Sequence, residues 1–192
     1  MPIFNKGNFT LDLGLLKISA EVSDQDRQSA WELYTEITTR VSLVGKCNDT
    51  SCEDFSGEVL EESLNSVHAF FREARMIMRK FPVGQLDPSK AKEGHLGVLI
   101  NDLLNSVLRP FLEKWQSDYR HWWRYQANEK TIPFERQQNY PRYDEFINEW
   151  KDVRMIMREL RKELIRVYEL VDVDCLAAAR RKAEDGQPKD SH

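Results

Sequence analysis

Four arginines stand in two identical pentapeptides, Arg75-Met-Ile-Met-Arg79 and Arg154-Met-Ile-Met-Arg158. Helix positions four apart share a face, so each pair would present two guanidinium groups side by side. Guanidinium is planar, permanently charged and bidentate towards oxyanions. If both pairs flank one groove, they would clamp a phosphate-bearing ligand or an acidic partner. The competing expectation is that each pair lays its aliphatic stems over the core edge and bonds to acids on adjacent helices. Glu32, Glu36, Glu61 and Glu62 are the candidate acids for that role.

A second cluster joins Trp115, Tyr119, Trp122, Trp123 and Tyr125, with Arg120, His121 and Arg124 interleaved. Such a set could stack the bases of a single-stranded nucleic acid while arginines meet its phosphates. Against this stand a net charge of −4 and the absence of a recognition-module signature. Large aromatics at helical spacing more often cap a bundle or form a protein interface.

Other chemistry has thinner support. The histidines are His68, His95, His121 and His192; Asp118-x-x-His121 is a lone carboxylate–imidazole pair, and no Glu-x-x-His pair exists. Neither a metal nor a cofactor is expected. No Gly-x-Ser-x-Gly elbow or phosphate-loop motif is found, and Cys175 sits beside Asp174, whose charge disfavours a thiolate. Cys47 and Cys52 could bridge, but two clustered sulfurs make a poor zinc site. Asn101 and Asn105 lie one turn apart on a strongly apolar stretch, where buried asparagines would fix register or oligomeric state.

The elements that must position these groups follow from apolar periodicity. Phe9, Leu11 and Leu13 alternate with polar residues, as do Leu16, Ile18, Ala20 and Val22, which predicts a hairpin over about 8–22 turning at Gly14. Helices are predicted over about 24–44, 57–81, 95–126 and 141–183, with Ser23 capping the first and Gly45 ending it. Pro110 should kink the third. Leu64, Val67, Phe71, Ala74, Met78 and Phe81 form a seam on the second. Tyr143, Phe146, Trp150, Val153, Met157 and Leu160 form a matching seam on the fourth, extended by Leu164, Val167 and Val171.

The fold class is therefore mainly α: one domain over 1–184, an up-down four-helix bundle with long helices and a short N-terminal β-hairpin, then a flexible tail at 185–192. Charge is uneven: residues 1–69 carry 5 basic and 12 acidic side chains, a net of −7, and the remainder a net of +3. Either two differently charged solvated surfaces result, or complementarity within an oligomer or towards a charged partner. No apolar run approaches the ~20 residues that span a bilayer, and no signal-peptide core opens the chain. A cytoplasmic protein without membrane partners is expected.

Three stretches carry a resemblance: Gly14-Leu-Leu-Lys-Ile-Ser19, Ala30-Trp-Glu-Leu-Tyr-Thr-Glu-Ile-Thr-Thr-Arg40, and Leu103-Leu-Asn-Ser-Val-Leu-Arg-Pro-Phe-Leu112 with Lys114-Trp115. They resemble a group of small, uncharacterised bacterial helical proteins, some associated with conflict and antiphage-defence gene clusters. The likeness covers most of residues 10–125, and its recurring Leu-Arg-Pro turn falls on Leu108-Arg109-Pro110. It implies an accessory protein working with larger partners and brings no catalytic residues.

Function is accordingly expected to be association: a non-enzymatic adaptor, regulator or structural subunit joined to another protein subunit or to itself. The surfaces expected to serve it are Trp115, Tyr119, Trp122, Trp123, Leu164, Val167 and Val171, the last three on a protruding end of the fourth helix. The alternatives are a sensor of a small anionic ligand at Arg75, Arg79, Arg154 and Arg158, and single-stranded nucleic-acid binding at the aromatic cluster.

Overall fold

The structure, a computed structural model, describes residues 3–13, 24–47, 49–81, 96–125 and 131–173. It is mainly helical, with one short antiparallel hairpin at the N-terminus. Strand β1 (Ile3–Lys6) pairs with β2 (Phe9–Asp12), Ile3 opposite Asp12 and Lys6 opposite Phe9. The period-two reading of Phe9 and Leu11 holds, since both are buried while Thr10 is exposed. The partner strand lies upstream, however. The described hairpin turns at Gly7-Asn8, where Gly7 takes φ +52°, and the turn expected at Gly14 falls outside the described residues. The second strand expected at Leu16–Val22, and the Ser23 cap, fall outside the described residues.

Helix α1 (Asp24–Thr38) stops short of the expected Val44, and a separate turn α2 (Val41–Val44) follows. Arg40 between them is extended, at φ −107° and ψ 101°. The local cause is the β-branched run Ile37-Thr38-Thr39, in which the Thr39 hydroxyl donates back to the Thr35 carbonyl at 2.8 Å. Gly45 ends α2 as expected, with φ +68°.

Helix α3 (Leu60–Met78) starts three residues later than expected, after Gly57 at φ +79°. Its buried seam is Leu60, Leu64, Val67, Phe70, Ala74 and Ile77, which corrects the expected inward Phe71 and Met78 to half-buried flanks. The third rod comprises α4 (Leu96–Asp102), a π-helical segment (Leu103–Leu108) and α5 (Arg109–Tyr125). The irregularity expected at Pro110 is taken up by that wider turn. Arg109 N–H reaches back five residues to the Leu104 carbonyl, which accommodates a ring that cannot donate.

The expected connection at 127–141 contains a short helix, α6 (Pro133–Gln137), opened by proline at its first position; five residues are too few to show periodicity. Helix α7 (Tyr143–Tyr168) ends where Glu169 enters the left-handed region at φ 53°, well before the expected 183. The chain then turns back, and the Val173 N–H donates to the Tyr34 hydroxyl at 3.1 Å. Of the residues expected on a protruding end, Leu164 and Val167 are instead buried in the core and Val171 is exposed, while 174–183 fall outside the described residues.

Helix α1 packs between α3 and α7, α3 also meets α4 and α5, and the hairpin lies on α7 and the π-helical segment. The core holds Leu33, Ile37, Phe70, Phe111, Trp115, Phe146 and Trp150, each removed from solvent. Burying side chains of this size contributes about 1.5–3 kcal/mol apiece and outweighs the modest hairpin pairing.

Candidate functional site

The two pentapeptides occupy different environments. On α7, Arg154 is fully buried and Arg158 half-buried; on α3, Arg75 and Arg79 are exposed. Rotational phase explains the contrast. Ile77 and Ile156 are both buried, but α3 packs Ala74 inward on one side of its isoleucine whereas α7 packs Val153, Arg154 and Met157 together.

Arg154 donates from Nε to the Ser42 carbonyl at 3.2 Å, from Nη1 to the Asp54 carbonyl at 3.5 Å, and from Nη2 to both oxygens of Glu58. Its guanidinium lies 4.0 Å over the Phe55 ring. Arg158 donates from Nε to the Val44 carbonyl at 2.5 Å, from Nη2 to the Lys46 carbonyl at 2.8 Å, and from Nη1 to the Asp49 carbonyl. Trp150 Nε1 adds a bond to the Ser42 carbonyl at 2.8 Å. One face of α7 thus satisfies the carbonyls of Ser42 and Val44 in α2 and those of Lys46, Asp49 and Asp54 in the connection to α3. Gly45 lets both arginines pass: a Cβ there would meet Arg158 Nη2 at 3.3 Å and Arg154 Cδ at 3.6 Å. Burial pushes the Arg154 guanidinium below its ordinary pKa, while Glu58 pulls in the other direction.

Every guanidinium nitrogen of these two arginines is engaged inside the protein. The other pair lies elsewhere. Lys80, next to Arg79, pairs with Glu32 and accepts at its carbonyl from Gln25 in the first half of α1, whereas Arg154 and Arg158 reach Ser42 to Glu58. Arg154 and Arg158, committed to these internal partners, leave no guanidinium nitrogen for the clamp expected of the four arginines. Of the acids expected to receive arginines, Glu36 takes Arg40 at 2.6 Å and Glu61 meets Arg120 at 3.5 Å.

The aromatic cluster divides into an inner and an outer half. Trp115 and Tyr119 are fully buried and pack on Phe146, at ring-centroid separations of 4.9 and 5.5 Å. Trp122 and Trp123 are half-buried, and Tyr125 is 75% exposed. Helix α6 lies against this outer half, with the Arg136 guanidinium 3.4 Å over the Trp123 ring. Ile132, at the start of α6, is 58% exposed.

Two residues that periodicity does not reveal hold the surroundings. The buried amide of Gln137 accepts from Leu60 N–H at 2.8 Å and donates to the Glu58 carbonyl at 2.7 Å, capping α3 from a distant part of the chain. Glu149 accepts from Trp115 Nε1 at 2.7 Å, Lys114 Nζ at 2.5 Å and Asn8 Nδ2 at 3.3 Å, tying α5 and the hairpin tip to α7. Its place between the buried Phe146 and Trp150 was the available signal.

Other sequence candidates resolve simply. Asn101 and Asn105 are exposed and bond to each other at 2.9 Å, which corrects their expected burial. Asp118 accepts from the Tyr140 hydroxyl and Arg142, and His121 packs on Tyr125 with ring centroids 4.9 Å apart. His68 is exposed. Cys47 and Cys52 are both free thiols, one exposed and one buried. Among the described residues no group of three or more His, Cys, Asp or Glu could hold a metal ion, and no helix is long and apolar enough to cross a membrane.

No protein-family model, curated protein or solved structure matches the chain.

Proposed function

We propose that this chain is a helical association module, a non-enzymatic adaptor, regulatory or structural subunit that engages another protein or a second copy of itself. We read its scaffold as an up-down arrangement of four rods, namely α1 with α2, α3, α4 through α5, and α7. The supporting observation is the α5–α6 end, where Tyr125 is 75% and Ile132 58% exposed beside half-buried Trp122 and Trp123. A rigid aromatic group with one wet face is the side-chain chemistry that protein interfaces favour. The α7 arginines, by contrast, are committed to holding the 42–58 segment. We read it further, on the sequence resemblance over 10–125, as a cytoplasmic accessory protein of a bacterial defence system.

Site-specific photo-crosslinking tests this reading. A benzoylphenylalanine at position 125 or 132 should yield discrete higher-mass adducts in cells of the source organism, and one at the exposed position 68 should not. Adducts equally frequent at all three positions, or at none, would overturn it.

A further inference from the structure

We propose that Cys47 and Cys52 form a peroxide-driven redox switch, in which a disulfide between them loosens the α2–α3 connection from α7. Both thiols lie on this one connection, and both are free. The chain around them folds as two small loops that share Asp49. Upstream, the Asp49 N–H donates to the Lys46 carbonyl at 3.1 Å and closes a turn around Cys47. Downstream, the Asp49 carboxylate accepts the Asp54 N–H at 2.7 Å and the Ser51 hydroxyl at 2.8 Å, closing a loop around Cys52. A disulfide needs Cα atoms about 4.4–6.8 Å apart. Because both loops turn on one residue, rearrangement inside the connection brings the two cysteines within reach, and no helix has to move.

The two sulfurs stand in opposite environments. Cys47 is exposed and Cys52 is fully buried. Bridging them requires Cys52 to leave the core or Cys47 to enter it. Arg158 opposes either shift, since its Nη2 and Nη1 hold the Lys46 and Asp49 carbonyls on the two sides of Cys47. Cys52 takes φ 60°, a left-handed conformation that a residue with a Cβ adopts only at a cost. Forming the covalent bond breaks the two Arg158 contacts and relieves that strain together. Burial raises the Cys52 pKa while the Arg158 and Arg154 charges oppose the rise, so its thiolate gains once the sulfur reaches water.

Hydrogen peroxide is the oxidant. The Cys47 thiolate attacks one peroxide oxygen and the O–O bond breaks, leaving a sulfenic acid and, after proton transfer, water. The Cys52 thiolate then attacks the Cys47 sulfur, the S–O bond breaks, and a second water leaves. Two thiols are oxidised to one disulfide, and one peroxide is reduced to two waters.

The test uses the full chain carrying Cys175→Ser, which leaves these two as its only cysteines. Peroxide should lower the intact mass by two hydrogen atoms without forming dimers, and both thiols should then resist alkylation. Amide exchange at Asp49 and Asp54, whose N–H groups close the two loops, should rise about tenfold or more and return with dithiothreitol. Cys47→Ser, at an exposed position, should show neither change. Cys52→Ser should stop at the Cys47 sulfenic acid, which dimedone traps. Both thiols surviving peroxide, over-oxidation of Cys47 beside an intact Cys52, or a disulfide between two chains would overturn the proposal. So would an internal disulfide that leaves the exchange unchanged, since that bond would be a staple and no switch.

Discussion

Arg154, in the middle of α7, closes its Nη2 on both carboxylate oxygens of Glu58, the residue two before α3 begins. The arginine is fully buried and the glutamate nearly so. The bond therefore joins the longest helix to the start of another across the 42–58 segment, and its value lies in what breaks with it.

Glu58→Gln should destabilise the fold by about 3–5 kcal/mol, because a buried guanidinium then loses its countercharge. Arg154→Met should cost a similar amount for a second reason, since the Ser42 and Asp54 carbonyls also lose a donor. Urea unfolding with unchanged m-values would measure both. The double variant should be less destabilised than the sum of the singles, as a shared charge pair requires. Strict additivity would show that the contact is incidental.

Much of this scaffold was legible as pattern. The seams through Val67 and Ala74 and through Phe146, Trp150 and Met157 follow from spacing alone, because burying one helix face is a local, repeated demand. Two positions of the first seam differ from the spacing: tertiary packing buries Phe70 and Ile77 where Phe71 and Met78 are expected, while Leu64, Val67 and Ala74 lie inward as expected. Where elements end was harder. Glu169 adopts a left-handed conformation without any glycine to announce it, and α1 stops at a threonine pair rather than at Gly45. The two pentapeptides expose the limit most directly. Identical residues gave a buried carbonyl clamp at Arg154 and a solvated arginine at Arg75, so which role each takes depends on neighbours far away in sequence.

Gln137 supplies a second test of long-range coupling. Its amide caps α3 on one side and holds the Glu58 carbonyl on the other, from a helix of only five residues. Gln137→Ala should cost about 1–3 kcal/mol, since both backbone groups are left without partners. Gln137→Glu keeps an acceptor for Leu60 and favours the helix N-terminus, but sets a carboxylate oxygen against the Glu58 carbonyl. It should therefore fail to recover wild-type stability. Amide exchange at Leu60 is the local readout, and protection unchanged in the alanine variant would remove the capping role.

Alkaline lability follows from three buried tyrosines. Burial raises the pKa of Tyr119, Tyr140 and Tyr168 above the ordinary value of 10.0, and for Tyr140 a hydrogen bond to Asp118 adds to the rise. The folded state then holds protons that the unfolded chain releases above pH 10. Stability should be intact below that value and fall as pH climbs, by up to about 1.4 kcal/mol per pH unit for each tyrosine kept neutral. Melting temperatures from pH 8 to 12 would record the fall. Phenolate absorbance from these rings should appear with unfolding, and its appearance in the still-folded protein would contradict the assignment.

The two thiols of the 42–58 segment should differ sharply in reactivity. Cys47 is exposed, whereas Cys52 is buried with φ 60°. Burial pushes the Cys52 thiol up, against the pull of Arg158, and only the thiolate attacks. A thiol reagent at pH 8 should label Cys47 at once and Cys52 only as fast as the segment opens. Loosening the clamp should speed that opening, so Arg158→Ala, which removes donors from the Val44, Lys46 and Asp49 carbonyls, should raise the Cys52 rate before it changes the global melting temperature. Peptide mapping by mass spectrometry separates the two sites. Cys52 labelling as fast as Cys47 in the native chain, or unaffected by Arg158→Ala, would show that α7 does not hold this segment closed.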